Sequence, residues 1–587
     1  MSTDARQLLA TLANQQQETE IFSAMPPGYK PGHTKFVAVL GTVMSGLGKG
    51  IFSASLAKLL KDKGLRVEPI KLEGYLNVDS GTLNPLRHGE VFVLDDGMET
   101  DMDLGTYERM LDLNLSRANF ATSGQIYHRV LEKERAGKYM GQDVQMIPHV
   151  TGEVKLKLRE LAMARNADVV FIEVGGTVGD VENGYLIEAV RELAYEEGPN
   201  STAFVALTYI IESTILGEQK SKAAQLGVKR LLELGIQPHV IACRCGHRVR
   251  DNVRQKISMF CNVQLPRVFS MHDCESIYMV PEMLRDAGLD REVLELLNLS
   301  HRVNPTAAAQ AQADWQHFVD SVRARTTPVR IGLTGKYVGI QDSYASILKA
   351  LEHAGAHLGA KCEVEGIDTS DLSAADADAL VSKYDAIIVP GGFGRRGSEG
   401  KIHCVHAART RQIPFLGICL GFQMAVIEYA RNVCGLIDAG SSEFDPDCPH
   451  PVIDILPDQK KIEGLGGNMR LGAKEVELLE STIAHKLYGQ QKSITRRFRH
   501  RYEVDPRYIR QLTDRGLIFS GKHPRQEIMQ VLELPAAVHP YFMAAQFHPE
   551  LTSRPLTPEP LFMGLVKAAL ARIEQRATAN TSTKGRS

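Results

Sequence analysis

The sequence predicts an α/β protein in two halves, the first with a mostly parallel sheet and the second a further α/β unit. Three observations predict it. Continuous β-prone apolar runs recur along the chain, as in strands buried on both faces of a parallel sheet. Each run is followed by a loop and a helical stretch, the alternation that builds such sheets. A composition shift at 298–327, rich in Ala, Gln, Asn and Arg, divides the runs into two series.

Residues 1–33 are Gln-rich and polar, end in Pro26-Pro27-Gly28, and read as a flexible extension with one short helix near 5–14. The first α/β domain is expected over 34–297. Phe36–Leu40 is its opening strand, Gly41–Gly50 a glycine loop, and Ile51, Leu56, Leu59 and Leu60 share one helix side that Gly64 can cap. Val67–Lys71, Asp168–Val174, Ala203–Thr208 and His239–Cys243 continue the pattern. The 298–327 stretch reads as a linker containing a helix with the sole tryptophan, Trp315. The second domain, 328–572, has strands at Val329–Leu333, Asp385–Val389 and Pro414–Ile418, and 573–587 is small and polar, hence expected to be disordered.

Composition narrows the function classes. The 587 residues suffice for several domains, and 43% hydrophobic with 24% charged residues is ordinary for a globular chain. A net charge of -2 gives no field drawing the chain to nucleic acid or a membrane. No apolar run nears the roughly 18 residues a bilayer span needs. Nine cysteines without a CxxC pair read as reduced, so a cytoplasmic protein is expected. The basic run Arg496–Tyr502 reads as a polar strand edge contacting the other domain rather than a nucleic-acid patch.

Gly417-Ile418-Cys419-Leu420-Gly421 follows an apolar strand and precedes the helical run Phe422–Tyr429. Glycines on both sides permit a sharp strand-to-helix turn that exposes a nucleophile. The helix N-terminus favours negative charge on the sulfur. Alone, this pattern also suits a buried structural cysteine. Gln546-Phe547-His548-Pro549-Glu550 adds a histidine as base and a carboxylate to orient it, and Pro390-Gly391-Gly392-Phe393-Gly394 adds backbone N–H groups for an oxyanion. In this order, the three resemble the class I glutamine amidotransferases. The resemblance makes Cys419, His548 and Glu550 the catalytic triad.

The loop through Ser45, Gly46, Leu47, Gly48, Lys49 and Gly50 lies between strand and helix, where phosphates bind on backbone amides. It is P-loop-like, with Val43 in place of the first glycine and Gly50 in place of the Mg²⁺-binding hydroxyl. A structural glycine-rich turn is the alternative. Without that hydroxyl, metal ligands must come from elsewhere, and Asp101, Asp103 and the strand-end Glu173 are available.

Several long motifs, in order, resemble the amidoligase half of the CTP synthases: Leu47–Gly50, Lys71–Asp79, His88–Val93, Glu99–Gly105, Glu173–Glu182 and Phe260–Val263. The likeness spans roughly 34–570. It implies ATP-dependent amination of UTP to CTP through a 4-phosphorylated intermediate, with ammonia carried internally from glutamine. By resemblance, Gly46 to Ile51, Lys71 and Asp103 bind ATP, and Asp103 with Glu173 binds Mg²⁺. Ser45, Gln145, His149, Asp180, Val181, Glu182, Lys220, Lys222, Gln225 and Lys256 would meet UTP or CTP. Gly392, Glu443 and Arg501 match glutamine-binding positions, and a homotetramer is implied.

The chain departs from the family pattern in places. KLDPY becomes Lys71-Leu72-Glu73-Gly74-Tyr75, KTKPTQHS becomes Lys220-Ser221-Lys222-Ala223-Ala224-Gln225-Leu226-Gly227, and ESLP becomes Glu182-Asn183-Gly184-Tyr185. A divergent amidoligase acting on another carbonyl-bearing nucleotide or metabolite is therefore the second reading, and an inactive regulatory or filament-forming homologue the third. The 457–470 segment is shorter than the family's lid, which removes the expectation of GTP activation.

Overall fold

The computed structural model describes residues 25–139, 142–212, 217–336, 341–455 and 469–584. The helix expected near 5–14 and most of the shortened 457–470 segment lie outside these residues. The chain forms two compact units, Met1–Thr82 with Thr106–Ala313, and Leu83–Gly105 with Asp314–Ser587.

The first unit holds a seven-stranded sheet. Its strands are β1 (Lys35–Gly41), β2 (Val67–Glu73), β3 (Phe120–Thr122), β4 (Val169–Val174), β5 (Thr202–Tyr209), β6 (Val240–Cys245) and β7 (Val268–His272). The order is β7-β6-β5-β1-β4-β2-β3, with every neighbouring pair parallel. Phe36, Val37, Ala38 and Val39 of the central strand are fully buried, as a two-faced apolar run requires. The chain fills one side of β1 first and then crosses to the other, so the connections leaving the neighbours β1 and β5 diverge and the loops after them flank a topological switch point. Helices α1 (Lys49–Asp62), α2 (Thr151–Ala164), α3 (Gly184–Glu197), α4 (Lys222–Glu233) and α5 (Asp251–Cys261) connect the strands. This bears out the parallel-sheet reading of the N-terminal half.

Helix α6 (Pro305–Arg323) lies inside the expected linker and buries Trp315. The second unit then builds a nine-stranded sheet. Five strands run parallel: β8 (Thr327–Gly335), β9 (Ala360–Asp368), β10 (Ala386–Val389), β11 (Phe415–Ile418) and β16 (Phe542–Ala545). Four more continue it antiparallel: β12 (Arg470–Leu478), β13 (Ser493–His500), β14 (Ile518–Lys522) and β15 (Met529–Glu533). The order is β9-β8-β10-β11-β16-β15-β14-β12-β13. Helices α7 (Ala345–Leu358), α8 (Ser398–Thr410) and α9 (Leu420–Asn432) flank the parallel part.

The C-terminal helix α10 (Pro560–Lys584) runs past residue 572, where disorder was expected. Leu561, Phe562, Leu565, Val566 and Ala569 recur at helical spacing and are fully buried, so the helix is already nucleated when it enters the polar tail. Arg576 then pairs with Asp385 at 3.3 Å. No helix among the described residues is long and apolar enough to cross a membrane.

The Leu83–Gly105 insert is part of the second unit. Its hairpin pairs Phe92–Val93 with Glu99–Thr100. The Ala473 N–H donates to the Asp95 carbonyl at 2.9 Å. Gly472, at φ 77°, permits the approach, because a Cβ there would lie 2.5 Å from the Gly97 nitrogen.

Candidate active sites

Cys419 is the turn residue between β11 and α9, held at φ 50° and ψ -99°. A non-glycine residue in that region is strained and persists only where its surroundings force it. The flanking glycines explain how. A Cβ on Gly421 would lie 1.9 Å from the Val389 carbonyl oxygen, and one on Gly417 2.7 Å from the Gly421 carbonyl. The elbow is thus pressed against β10 with no room for side chains.

His548 follows β16, and its Nδ1 lies 2.7 Å from Glu550 Oε1. Burial opposes charge on this imidazole, but the Glu550 carboxylate and the Cys419 sulfur outweigh it, and the pKa is pushed up to about 10. His548 Nε2 is buried without a hydrogen-bond partner among the described residues. A Cβ on Gly391 would lie 2.8 Å from His548 Cε1 and 3.6 Å from Cys419 Cβ. The glycine of the expected oxyanion loop therefore lies directly on the Cys–His pair.

Edge strand β13 touches both catalytic candidates through its backbone. The Cys419 thiol donates to the Arg499 carbonyl at 3.6 Å, and the His548 N–H donates to the Arg497 carbonyl at 2.8 Å. The side chains of these arginines reach the insert: Arg497 Nε donates to Asp95 Oδ1 and Arg499 Nε to Glu99 Oε1, both at 2.6 Å. Arg496 lies 3.3 Å from Glu559. The basic run is thus a strand edge whose charges meet carboxylates.

Of the glutamine positions, Glu443 accepts from the Gly394 N–H at 2.7 Å. Burial raises its pKa, against the pull of Arg501 nearby. A Cβ on Gly392 would lie 3.7 Å from Lys401 Nζ, and burial pushes the Lys401 ammonium down to about 8. Lys401 carried no sequence signal, because its place beside the nucleophile depends on how α8 packs. Gln546, the first residue of the 546–550 motif, donates from its side chain to the Cys419 sulfur at 3.7 Å.

In the first unit, Gly46 and Gly48 take φ 74° and 79°, and Lys49 opens α1. Val43 takes φ 73°, bearing at the P-loop's first glycine position a strain that glycine would not feel. Lys49 Nζ donates to the Gly176 carbonyl at 2.7 Å. Lys71 is buried, with Nζ 3.2 Å from Glu73 and 3.6 Å from Glu173. The Tyr107 hydroxyl, which sequence reasoning missed, donates to Glu173 at 2.9 Å. The loop ends of β1, β2 and β4 thus bring Lys49, Lys71 and Glu173 to one sheet edge.

Carboxylate oxygens are the hard donors that Mg²⁺ takes, usually one or two from protein with phosphates and water completing the shell. Glu173 fits that chemistry, and no cluster of three metal-ligating side chains exists among the described residues. Asp103 belongs to the other unit, its N–H donating to Asp101 Oδ1 at 3.1 Å.

The expected acceptor residues fall in three groups. Ser45 is exposed on the glycine loop, near α4, where a Cβ on Gly227 would lie 2.7 Å from Thr42 Cβ. Lys222 and Lys256 are exposed on α4 and α5, Gln225 bonds Ser221 at 3.1 Å, and Lys220 pairs with Glu218 at 2.6 Å. His149 is buried and accepts from the Gln145 N–H at 3.0 Å, and burial lowers its pKa. Asp180, Val181 and Glu182 lead into α3, with Asp180 accepting from the Thr177 N–H at 2.7 Å.

Comparison with known proteins finds matches for both halves of the chain. Residues 35–299 match the family model described as CTP synthase N-terminus, and 339–568 match glutamine amidotransferase class-I. A CTP synthase of Methanopyrus kandleri is 49% identical over 91% of this chain and 99% of its own length. One of Archaeoglobus fulgidus is 47% identical over 91% of this chain and 98% of its own. The solved Trypanosoma brucei CTPS glutaminase domain with bound acivicin is 36% identical, covering 41% of this chain and 94% of that chain at a TM-score of 0.39. Near half-identity across both units, with the elbow cysteine and the glycine loop in their expected places, makes the assignment: this chain belongs to the CTP synthase family.

Proposed function

We propose that the protein aminates UTP to CTP, using ATP and ammonia released from glutamine. The observation that carries this is the joining, in one family-wide match, of a phosphate-type loop bearing Lys49 to a strained cysteine elbow backed by His548 and Glu550. Cys419 passes its thiol proton to His548 and attacks the glutamine amide as the thiolate, forming a C–S bond as the oxyanion meets backbone N–H groups of the 391–394 loop, after which the C–N bond breaks. Imidazolium His548, oriented by Glu550, gives its proton to the departing ammonia, and water then cleaves the thioester to glutamate. Glu443, Arg501 and Gly392 hold the substrate.

The uracil O4 is a poor leaving group. ATP phosphorylates it, and ammonia then displaces phosphate. The ammonia must arrive unprotonated to be nucleophilic, which calls for a path shielded from bulk water. Gly46 to Ile51 with Lys49 bind the ATP phosphates, and Lys71 offsets charge on the transferring group. Glu173 and Asp103 would hold Mg²⁺, which when bound neutralises phosphate charge. Ser45, Gln145, His149, Asp180, Val181, Glu182, Lys220, Lys222, Gln225 and Lys256 bind the acceptor.

Val181 is 91% exposed between Asp180 and Glu182, and Met146 and Ile147 are exposed between Gln145 and His149. Apolar side chains left open beside ligand-binding residues support a homotetramer that covers them. Nine free cysteines support a cytoplasmic setting.

The test supplies ATP, Mg²⁺ and glutamine with each nucleotide in turn and follows the absorbance change of amination. A UTP-dependent signal is expected. Glutaminase or ATPase activity without it would defeat the assignment and favour the divergent-acceptor reading.

A further inference from the structure

Two of the departures from the family pattern touch each other. A Cβ on Gly74 would lie 2.1 Å from Asn183 Oδ1 and 3.3 Å from Glu182 Cβ, and one on Gly176 would lie 2.2 Å from Asn183 Nδ2. The Asn183 carboxamide is therefore wedged between two glycines, its oxygen closing on residue 74 and its nitrogen on residue 176. It is 4% exposed, and Oδ1 has no hydrogen-bond partner among the described residues. An unpaired buried carbonyl is costly, so its position is imposed by shape. The family's proline at 74 could not coexist with this carboxamide, and the family's serine at 183 would leave its space empty.

The wedge has a consequence for the loop that carries it. The Asn183 N–H donates to the Asp180 carbonyl at 3.2 Å, and the Asp180 carboxylate lies 2.8 Å from where a Gly176 Cβ would be. The third departure, Tyr185, anchors the following turn through its hydroxyl, 2.7 Å from Ser123 Oγ. Asn183 is thus fixed on both sides, and Asp180 and Glu182 are fixed with it.

We propose that Gly74 and Asn183 form a matched pair in which Asn183 is a positioning residue, holding Asp180 and Glu182 at the wall of the acceptor-nucleotide pocket. This rests on the reading of Asp180 and Glu182 as acceptor contacts. A side chain at 74 displaces Glu182 and the carboxamide together. Shortening residue 183 makes room for it.

The experiment compares the full chain with Gly74→Ala, Asn183→Ser and the double variant, using ammonia as nitrogen donor so that Cys419 is not involved. Gly74→Ala should raise the acceptor KM about tenfold, with the ATP KM and the glutaminase rate unchanged, and the double variant should return to within about threefold of the unsubstituted protein. Additive effects, or an ATP KM that moves in step with the acceptor KM, would overturn the pair. If Gly74→Ala fails to fold, recovery of a cooperative melt in the double variant supports the pair, and no recovery overturns it. If the unsubstituted protein makes no CTP from UTP, the proposed function fails by itself. The pair is then judged by melting temperatures alone, where non-additive shifts support it and additive ones overturn it.

Discussion

Arg499 joins two places through two different atoms: its guanidinium donates to Glu99 at 2.6 Å, while its backbone carbonyl receives the Cys419 thiol at 3.6 Å. Arg497, two residues earlier on the same strand, repeats the arrangement with Asp95 and the His548 N–H. The strand's alternation sets the arginine side chains on one face while its carbonyls line the catalytic pair. The 83–105 insert, which carries Asp103, is thereby fastened to the strand that positions Cys419.

Replacing Arg499 with methionine removes the ion pair but keeps the backbone. We expect glutamine hydrolysis to fall about tenfold or more, since small misplacements of a nucleophile are costly. Ammonia-dependent synthesis should hold. Glutamate release and ammonia-driven CTP formation, measured side by side, check this, and an equal loss of both would contradict it.

Cys419→Ala should abolish glutamine use and spare synthesis from ammonia. On the proposed function, the chemistry of the second site needs Lys49 and Lys71, not the thiol. Loss of both activities would argue against two separate sites.

Lys49→Met should do the reverse. Glutaminase activity should survive, while CTP formation from either nitrogen source should drop by about a thousandfold, the scale of a phosphate-binding cation in phosphoryl transfer. Retained synthesis would remove Lys49 from the phosphate site.

The His548 proton gives a pH signature. Its pKa is raised to about 10, so the imidazolium persists through neutral pH and is lost as pH rises through that value. The alkaline limb of the glutaminase profile should therefore lie near about 10. A midpoint near the ordinary imidazole value of about 6.5 would show that Glu550 and Cys419 do not hold the charge.

Gly421→Ala tests the elbow's packing. Its Cβ would meet the Val389 carbonyl at 1.9 Å. Relief requires backbone movement, and we expect at least about 3 kcal/mol of destabilisation, read as a lower unfolding temperature. An unchanged melt would mean that α9 can shift freely.

The parallel strands were legible in the sequence because both faces are buried, which writes each as an unbroken apolar run such as Phe36–Leu40 or Val169–Ile172. The antiparallel half of the second sheet was not. Strand β12 alternates buried and charged residues, Val476 between Glu475 and Glu477, and one wet face erases the run. The end of α10 was missed for a related reason, since composition does not register a helix already anchored upstream.

The sequence by itself determined the candidates for the chemistry: a cysteine between glycines, a histidine two residues from a glutamate, and a lysine at the end of a glycine loop are short patterns whose meaning is local. Only the tertiary structure decided what surrounds them. Tyr107 meets Glu173, Lys401 comes beside Gly392, and Asn183 closes on Gly74, across gaps of 66, 9 and 109 residues, because packing brings together what backbone periodicity cannot encode. Cys419 could be picked out as a nucleophile candidate once His548, Glu550 and the 390–394 glycine loop were read beside its flanking glycines, but its bond to the Arg499 carbonyl required the whole sheet.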